Sequence, residues 1–391
     1  MLETQEQVVI VGAGVVGACC AYYAARAGQR VVVLDSHEVG TRTTAASGSA
    51  VVYQTKREPL LIDLTRRSKA LYAELERDIG VAYRVDGSLI LFRDPAEGEF
   101  VGKRAEWLKR LGVEVVVLDR AKLEARLPDV GPEVQGASYA PDDAEVVPQA
   151  ACRAIARAAE RLGVSIWTRT PVTGFDVAGG RVGGVFTPEG TIPCAQVVLA
   201  GGPWTGDLAG QLGVALPLRP QKGEMLFTDP LPPRLRGRIL SANYLMGKFG
   251  AKSAPDGFAV GLAIGQEPDG AIKIGSTREW AEFNLEPTER AREALLEEVG
   301  RYLPAIARLP IRRRTVGLRP YCALKRPIVC RLERPVGVVL ACGHGGDGVA
   351  LAPITGSLVA DLLSGKTTGF EEQLGLTMDG GRASSREDYR S

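Results

Sequence analysis

Histidine is almost missing from this sequence: His37 and His344 are the only two in 391 residues. Neither has the sequence partners of a nucleophilic triad or of a metal site. The seven cysteines, Cys19, Cys20, Cys152, Cys194, Cys322, Cys330 and Cys342, are odd in number and form no CxxC pair. The chain therefore offers no zinc or iron–sulfur ligand set. Its thiols read as small buried hydrophobes in a reducing, cytoplasmic compartment. An excess of either charge is also lacking, since 48 basic and 46 acidic residues leave +2. That balance makes no case for nucleic acid or anionic lipid and leaves a small molecule as the expected partner.

Long uncharged runs are scarce as well. One extends from Val8 to Ala25 and is the single place to look for a membrane span or signal sequence. Glu3 and Glu6 stand where a signal sequence needs Lys or Arg, and three glycines occupy turn positions. The run reads as a buried strand and helix, with no transmembrane segment.

What is present is two domains' worth of chain with an α/β pattern. Gln7 to Val11 is a short apolar strand, followed by a glycine turn, a small-residue helix to Ala27 and a second strand, Arg30 to Asp35. A Thr/Ser/Gly-rich loop (Gly40 to Ser49) leads to a helix with apolar spacing through Leu60, Leu64, Leu71 and Leu75. Short strands and charged helices then alternate from Tyr83 to Tyr139. A helix from Val147 to Leu162 and strands Val172 to Val177, Arg181 to Phe186 and Gln196 to Leu199 return to the α/β style. Strands dominate again from Leu216, before a helix from Pro287 to Tyr302. The chain closes with strand Val336 to Cys342, a glycine loop and a helix from Val349 to Leu363; the tail after Thr367 reads as disordered. We expect a discontinuous Rossmann-like cofactor-binding domain from 1–80, 145–215 and 316–368. An α+β substrate-binding domain with a mainly antiparallel sheet takes 81–144 and 216–315, and 369–391 forms a C-terminal tail.

The cofactor expectation begins at Gly12-Ala13-Gly14-Val15-Val16-Gly17, a GxGxxG that follows a strand and opens a helix, with Asp35 about twenty residues on. Gly12 makes the turn, Gly14 admits the pyrophosphate, Gly17 lets helix and strand approach, and Asp35, with Ser36 beside it, receives the ribose hydroxyls. This fingerprint serves NAD and FAD alike. The late loop Gly343-His344-Gly345-Gly346-Asp347-Gly348 supplies a second helix N-terminus, ending at Val349, and reduced flavin carries negative charge at its N1–C2=O edge that such N–H groups stabilise. A nicotinamide enzyme has no such need, although an NAD-dependent dehydrogenase stays open as a rival.

Four segments in this order and spacing, Gly12–Gly17, Val197 to Trp204, Gly317-Leu318-Arg319-Pro320 and Ala341 to Pro353, resemble the D-amino-acid-oxidase-like FAD oxidoreductases over nearly the whole chain. Ser47-Gly48-Ser49, Lys222-Gly223-Glu224 and Ile274 to Glu279 are similar to the flavin subunits of opine oxidases, proline or hydroxyproline dehydrogenases and hydrogen cyanide synthase, then to sarcosine and glycine oxidases. The resemblance implies that Thr43, Thr44, Ser47, Gly48 and Ser49 line the pyrophosphate and flavin. It implies further that Val172 meets the adenine, that Ala200, Gly201 and Trp204 border the cofactor, and that Gly343 to Val349 hold the flavin pyrimidine edge. Arg319 would grip the substrate carboxylate, for which a planar, permanently charged guanidinium is suited; a structural arginine is the alternative. Lys273, between two isoleucines of a strand, matches a lysine that some members use to activate oxygen, or is a solvated strand lysine. His344 is either a residue beside the flavin or purely structural.

Two departures bear on the substrate: Leu324-Lys325 replaces an Asp-Gly pair, and Gly346 stands where some members place a second arginine. The cysteine that attaches FAD covalently in monomeric sarcosine oxidases would, by the resemblance, fall near Gly317, so FAD is expected to be non-covalent here. The implied activity is oxidation of the C–N bond of a small amino acid or secondary amine by hydride transfer to flavin N5, in a heteromeric dehydrogenase. FMN or an iron–sulfur cluster would sit only in, or be shared with, a second subunit that accepts electrons, and that partner could tether the chain peripherally to a membrane. A self-contained oxygen-using oxidase and a non-catalytic flavin-binding scaffold are the alternatives. No metal site is expected.

Overall fold

The computed structural model describes residues 7–249 and 257–376. A six-stranded sheet runs in the order Ile328–Arg331, Val338–Cys342, Gln196–Leu199, Gln7–Val11, Arg30–Leu34, Ser165–Trp167. Neighbours are parallel except for the antiparallel edge pair Ile328–Arg331 and Val338–Cys342. The inner strands are β-branched runs because both faces are covered. Val8 and Ile10 pack with residues of helices Val15–Arg26, Pro59–Ile79, Pro148–Arg161 and Gly348–Leu363. Val9 and Val11 pack with the antiparallel meander Gly174–Ala178, Arg181–Thr187, Gly190–Pro193. The uncharged run Val8 to Ala25 is thus divided between a central strand and a 12-residue helix. No helix among the described residues is long and apolar enough to cross a membrane.

A small sheet, Ala50–Val51, Ala144–Val146, Tyr83–Arg84, stands apart, and the second large sheet has eight strands in the order Ile311–Cys322, Leu218–Pro230, Ala271–Arg278, Ala259–Gln266, Arg238–Ser241, Ser88–Phe92, Gly136–Ala140, Val116–Asp119. Only Arg238–Ser241 and Ser88–Phe92 pair in parallel. One face is a core: Leu226, Ile272 and Ile274 pack with Leu295, Val299 and Tyr302 of helix Glu289–Tyr302. The opposite face carries Gly223, Met225 and Phe227 beside Lys273 and Gly275, in register, and Gly317 and Thr315 on the edge strand. Its glycines admit close neighbours, with the Arg319 guanidinium over Gly223 and Ala46 against Gly317.

Three sequence expectations change. Val172 precedes the strand Gly174–Ala178 instead of starting it, because Pro171 has no N–H for the ladder. The strand Ile311–Cys322 is continuous across residue 316 and pairs along its length with Leu218–Pro230; Pro320 is tolerated because this strand is the sheet edge. The segment after Thr367 is not all disordered: Phe370 and Leu374, the latter in the short helix Glu371–Leu374, are buried in the helix-side core, and Arg67 stacks over Phe370 at 4.9 Å. The remainder of the expected tail, 377–391, lies outside the described residues.

Candidate active site

A cavity of about 620 Å³ lies between the two large sheets. One end is the glycine turn after Gln7–Val11. Gly12 adopts φ +113°, and a Cβ there would stand 2.5 Å from the Ala200 carbonyl oxygen. Gly17 allows helix and turn to touch, since its Cβ would be 1.8 Å from the Gly12 oxygen; it lies under the cavity wall, whereas Gly12, Gly14 and Val16 line it. The helix Val15–Arg26 begins at Gly14, which has no side chain to cap it, and Gly14, Val15 and Val16 at this positive end of the helix dipole line the cavity. Thr44 Oγ1 accepts from the Val15 N–H at 3.1 Å. Asp35 Oδ2 accepts from the Ala13 N–H at 2.7 Å and Oδ1 from the His37 N–H at 2.8 Å, which fixes the carboxylate at the cavity rim beside Ser36.

The middle of the cavity is walled by Thr43, Thr44, Ser47 and Gly48 on one side and by Ala200, Gly201 and Trp204 on another, with Val172 near the fingerprint end. Thr43 Oγ1 donates to the Leu318 carbonyl at 2.9 Å, fastening this loop to the edge strand. Trp204 stacks on Phe283 at 5.8 Å. Ser49 turns away from this cavity and donates to Glu267 Oε1 at 3.1 Å.

At the far end the late loop supplies His344, Gly345, Gly346, Asp347, Gly348 and Val349, while Gly343 packs behind against Cys322 and Leu218. Helix Gly348–Leu363 has an uncapped N-terminus. His344 is buried, with Nε2 2.9 Å from Thr355 Oγ1, and burial pushes its pKa down to about 4, so the imidazole is neutral at pH 7.

Arg319 enters the same end from the edge strand. Its guanidinium lies over Gly223, where a Cβ would be 2.3 Å from Nη1; Nη1 donates to the Lys222 carbonyl at 3.3 Å and Nη2 to Ser276 Oγ at 3.0 Å. No carboxylate pairs with it among the described residues. Burial, with help from the Arg278 charge, lowers its pKa to about 10, which leaves it cationic. The strand under it is secured by Lys222, whose Nζ is 3.4 Å from Glu224 Oε1 and 3.6 Å from Glu279 Oε2.

Lys273 does not line the main cavity. It borders a neighbouring one of about 320 Å³ with Glu267, Phe227 and Arg313, behind the loop that carries Thr43 and Ala46. Far from being solvated, it is buried, with Nζ 2.7 Å from Glu267 Oε1 and 3.2 Å from Ser49 Oγ.

Sequence reasoning missed Lys56, Tyr244, Lys248 and Ser276. Tyr244 and Lys248 lie one turn apart on the seven-residue helix Ala242–Lys248, and both line the cavity; a Tyr-x-x-x-Lys spacing was the available signal. Tyr244 lies under Arg278 at 4.4 Å. Burial would raise its phenol, but Arg278, Lys248 and Arg319 outweigh that and lower it.

The cavity joins a dinucleotide turn with a free helix start to a second free helix start, and that suits FAD. A model described as FAD dependent oxidoreductase (DAO) matches residues 7–362. The chain belongs to this family of FAD-dependent oxidoreductases. It is similar to hydrogen cyanide synthase subunit HcnC of Pseudomonas protegens, 28% identical over 401 residues, with 91% of this chain and 92% of the relative covered. Glycine oxidase of Pseudomonas putida is 30% identical over 371 residues, covering 92% and 95%. Among solved structures, glycine oxidase from Geobacillus kaustophilus has a TM-score of 0.87 at 24% identity, covering 96% of this chain and 100% of that one. L-proline dehydrogenase from P. horikoshii has 0.84 at 24%, covering 94% and 96%. These two likenesses establish a shared fold.

Proposed function

We propose that this FAD-dependent oxidoreductase oxidises the C–N bond of a small amino acid or secondary amine, of the glycine, sarcosine, proline or opine kind, with FAD held non-covalently. The carrying observation is Arg319, a guanidinium without a carboxylate partner among the described residues, poised in the cavity against Ser276 and the Lys222 carbonyl. A substrate carboxylate supplies the missing counter-charge in a bidentate geometry. Bound FAD supplies the two-electron acceptor for hydrogen at the carbon next to nitrogen. The residues of this chain bind and orient: Arg319 fixes the carboxylate, Tyr244 and Lys248 close the far wall, and Gly223 gives the guanidinium the space it occupies. In this reading the parallel-sheet region binds FAD and the face of the eight-stranded sheet binds substrate.

We further infer that the natural acceptor is a partner subunit. The Lys273–Glu267 pairing supports this, because an ion pair presents little net charge to stabilise superoxide. Any iron–sulfur or second flavin centre belongs to that partner. The test is an anaerobic titration of the flavin-loaded protein with sarcosine, D- and L-proline, hydroxyproline, glycine and octopine. Bleaching of the flavin by one or more is expected; no bleaching by any of them would overturn the amino-acid reading and favour a scaffold.

A further inference from the structure

Two ammoniums, one buried and one partly buried, converge on one carboxylate at the start of the late helix. Lys56 Nζ donates to Asp347 Oδ1, and Lys248 Nζ stands 3.0 and 3.1 Å from the two Asp347 oxygens. The side chain of Lys56 is 1% exposed, that of Lys248 19% and that of Asp347 15%. They come from three separate parts of the chain: the stretch after strand Ala50–Val51, the end of helix Ala242–Lys248, and the residue preceding helix Gly348–Leu363. Burial would raise the Asp347 carboxyl, but the Lys248 and Lys56 charges outweigh it and hold the group well below the carboxylate range, so Asp347 is ionised. Among the described residues no second carboxylate pairs with either lysine. Two positive charges against one negative leave one uncompensated.

A buried net charge is costly unless something answers it. The dipole of helix Gly348–Leu363 has the same sign at this end and cannot. Reduced flavin can, because uptake of two electrons and one proton leaves one negative charge on its N1–C2=O edge. Asp347 and Lys248 both line the cavity at this end, opposite the fingerprint that takes the adenosine half. We propose that Lys56, Asp347 and Lys248 form a net-positive triad that raises the reduction potential of FAD bound in this cavity. The proposal rests on the reading of the cavity as the flavin site. The lysines are positioning residues: they act on the electronics of the cofactor and need not touch the substrate.

The test uses the full chain with its flavin and reads two quantities other than turnover. One is the two-electron midpoint potential by dithionite titration against a reference dye; the other is the Kd for sulfite, whose adduct places negative charge on the same flavin edge. Lys248→Met makes the triad neutral: the reduction equilibrium is expected to weaken about tenfold, which is ~30 mV downward for a two-electron couple, and sulfite Kd to rise. Asp347→Asn removes the negative charge and is expected to move both quantities the opposite way. Lys248→Arg keeps the charge and should restore both. Lys248→Gln replaces Lys248→Met if the latter loses flavin. Opposite shifts support the triad; unchanged values, or shifts in one direction for both variants, overturn it and leave a clamp between segments. A purified chain that binds no FAD would overturn the flavin-site reading itself.

Discussion

The Lys273 ammonium lies 2.7 Å from Glu267 Oε1, with Ser49 Oγ bonded to both partners. Burial lowers the Lys273 pKa, and Glu267 opposes that; burial would raise Glu267, but Lys273 outweighs it and lowers the carboxyl. As an ion pair, each charge cancels the other. Glu267→Gln keeps the shape and removes the cancellation. Oxygen consumption by the substrate-reduced enzyme, relative to reduction of an artificial dye, is expected to rise about tenfold, the equivalent of ~1.4 kcal/mol. Lys273→Met in the same assay should not rise. An unchanged ratio in Glu267→Gln would mean that oxygen does not meet the flavin from this side.

Gly17→Ala is expected to yield protein without bound flavin. Its Cβ would overlap the Gly12 carbonyl oxygen at 1.8 Å, and backbone cannot step aside as a flexible side chain can. The turn that presents the first helix N-terminus would have to open. The ratio of flavin to protein absorbance in the purified variant reads this directly, and a flavin content equal to that of the parent would contradict it.

The parallel sheet was the most legible part of the sequence. Uninterrupted apolar runs such as Val8 to Val11 and Val31 to Leu34 can only be strands covered on both faces, and the glycine fingerprint fixes the turn and helix after the first of them. The site was legible where one residue type has one use, as with Gly12 or Asp35. It was not legible where function depends on strands far apart in sequence meeting. Lys56 and Lys248 are ordinary surface residues by composition, and only the fold brings them to Asp347. Ile311–Cys322 was hidden for a related reason: the charged run Arg312 to Arg314 interrupts the apolar pattern, but it is the exposed start of an edge strand whose later residues enter the cavity.

Arg319→Lys should behave almost as badly as Arg319→Ala, because an ammonium cannot hold Ser276 Oγ, the Lys222 carbonyl and a carboxylate in one plane. The loss of a buried charge pair is ~2–5 kcal/mol, so kcat/KM for the best amino acid is expected to fall by about 30-fold or more, mainly through KM, with the flavin spectrum retained. Gly223→Ala provides an independent check, since its Cβ would displace the guanidinium from 2.3 Å away. It should copy the KM effect without touching the charge. Wild-type KM in both variants would remove Arg319 from substrate binding.

Buried neutral His344 makes stability depend on pH in a defined window. An unfolded histidine titrates near 6.5, and burial pushes the folded group down to about 4. Below pH 6.5 the unfolded chain binds a proton that the folded chain refuses, so folding stability contributed by this group is complete above 6.5 and is lost as pH falls toward 4. Each pH unit across that window is worth at most ~1.4 kcal/mol, or about 3 kcal/mol in all. His344→Gln keeps a hydrogen-bonding group near Thr355 Oγ1 but does not titrate. Denaturant unfolding of both proteins at pH 7.5 and pH 5 should show the parent losing more stability than the variant over that interval. Parallel losses would mean that His344 is protonated in the folded state without penalty, against its burial.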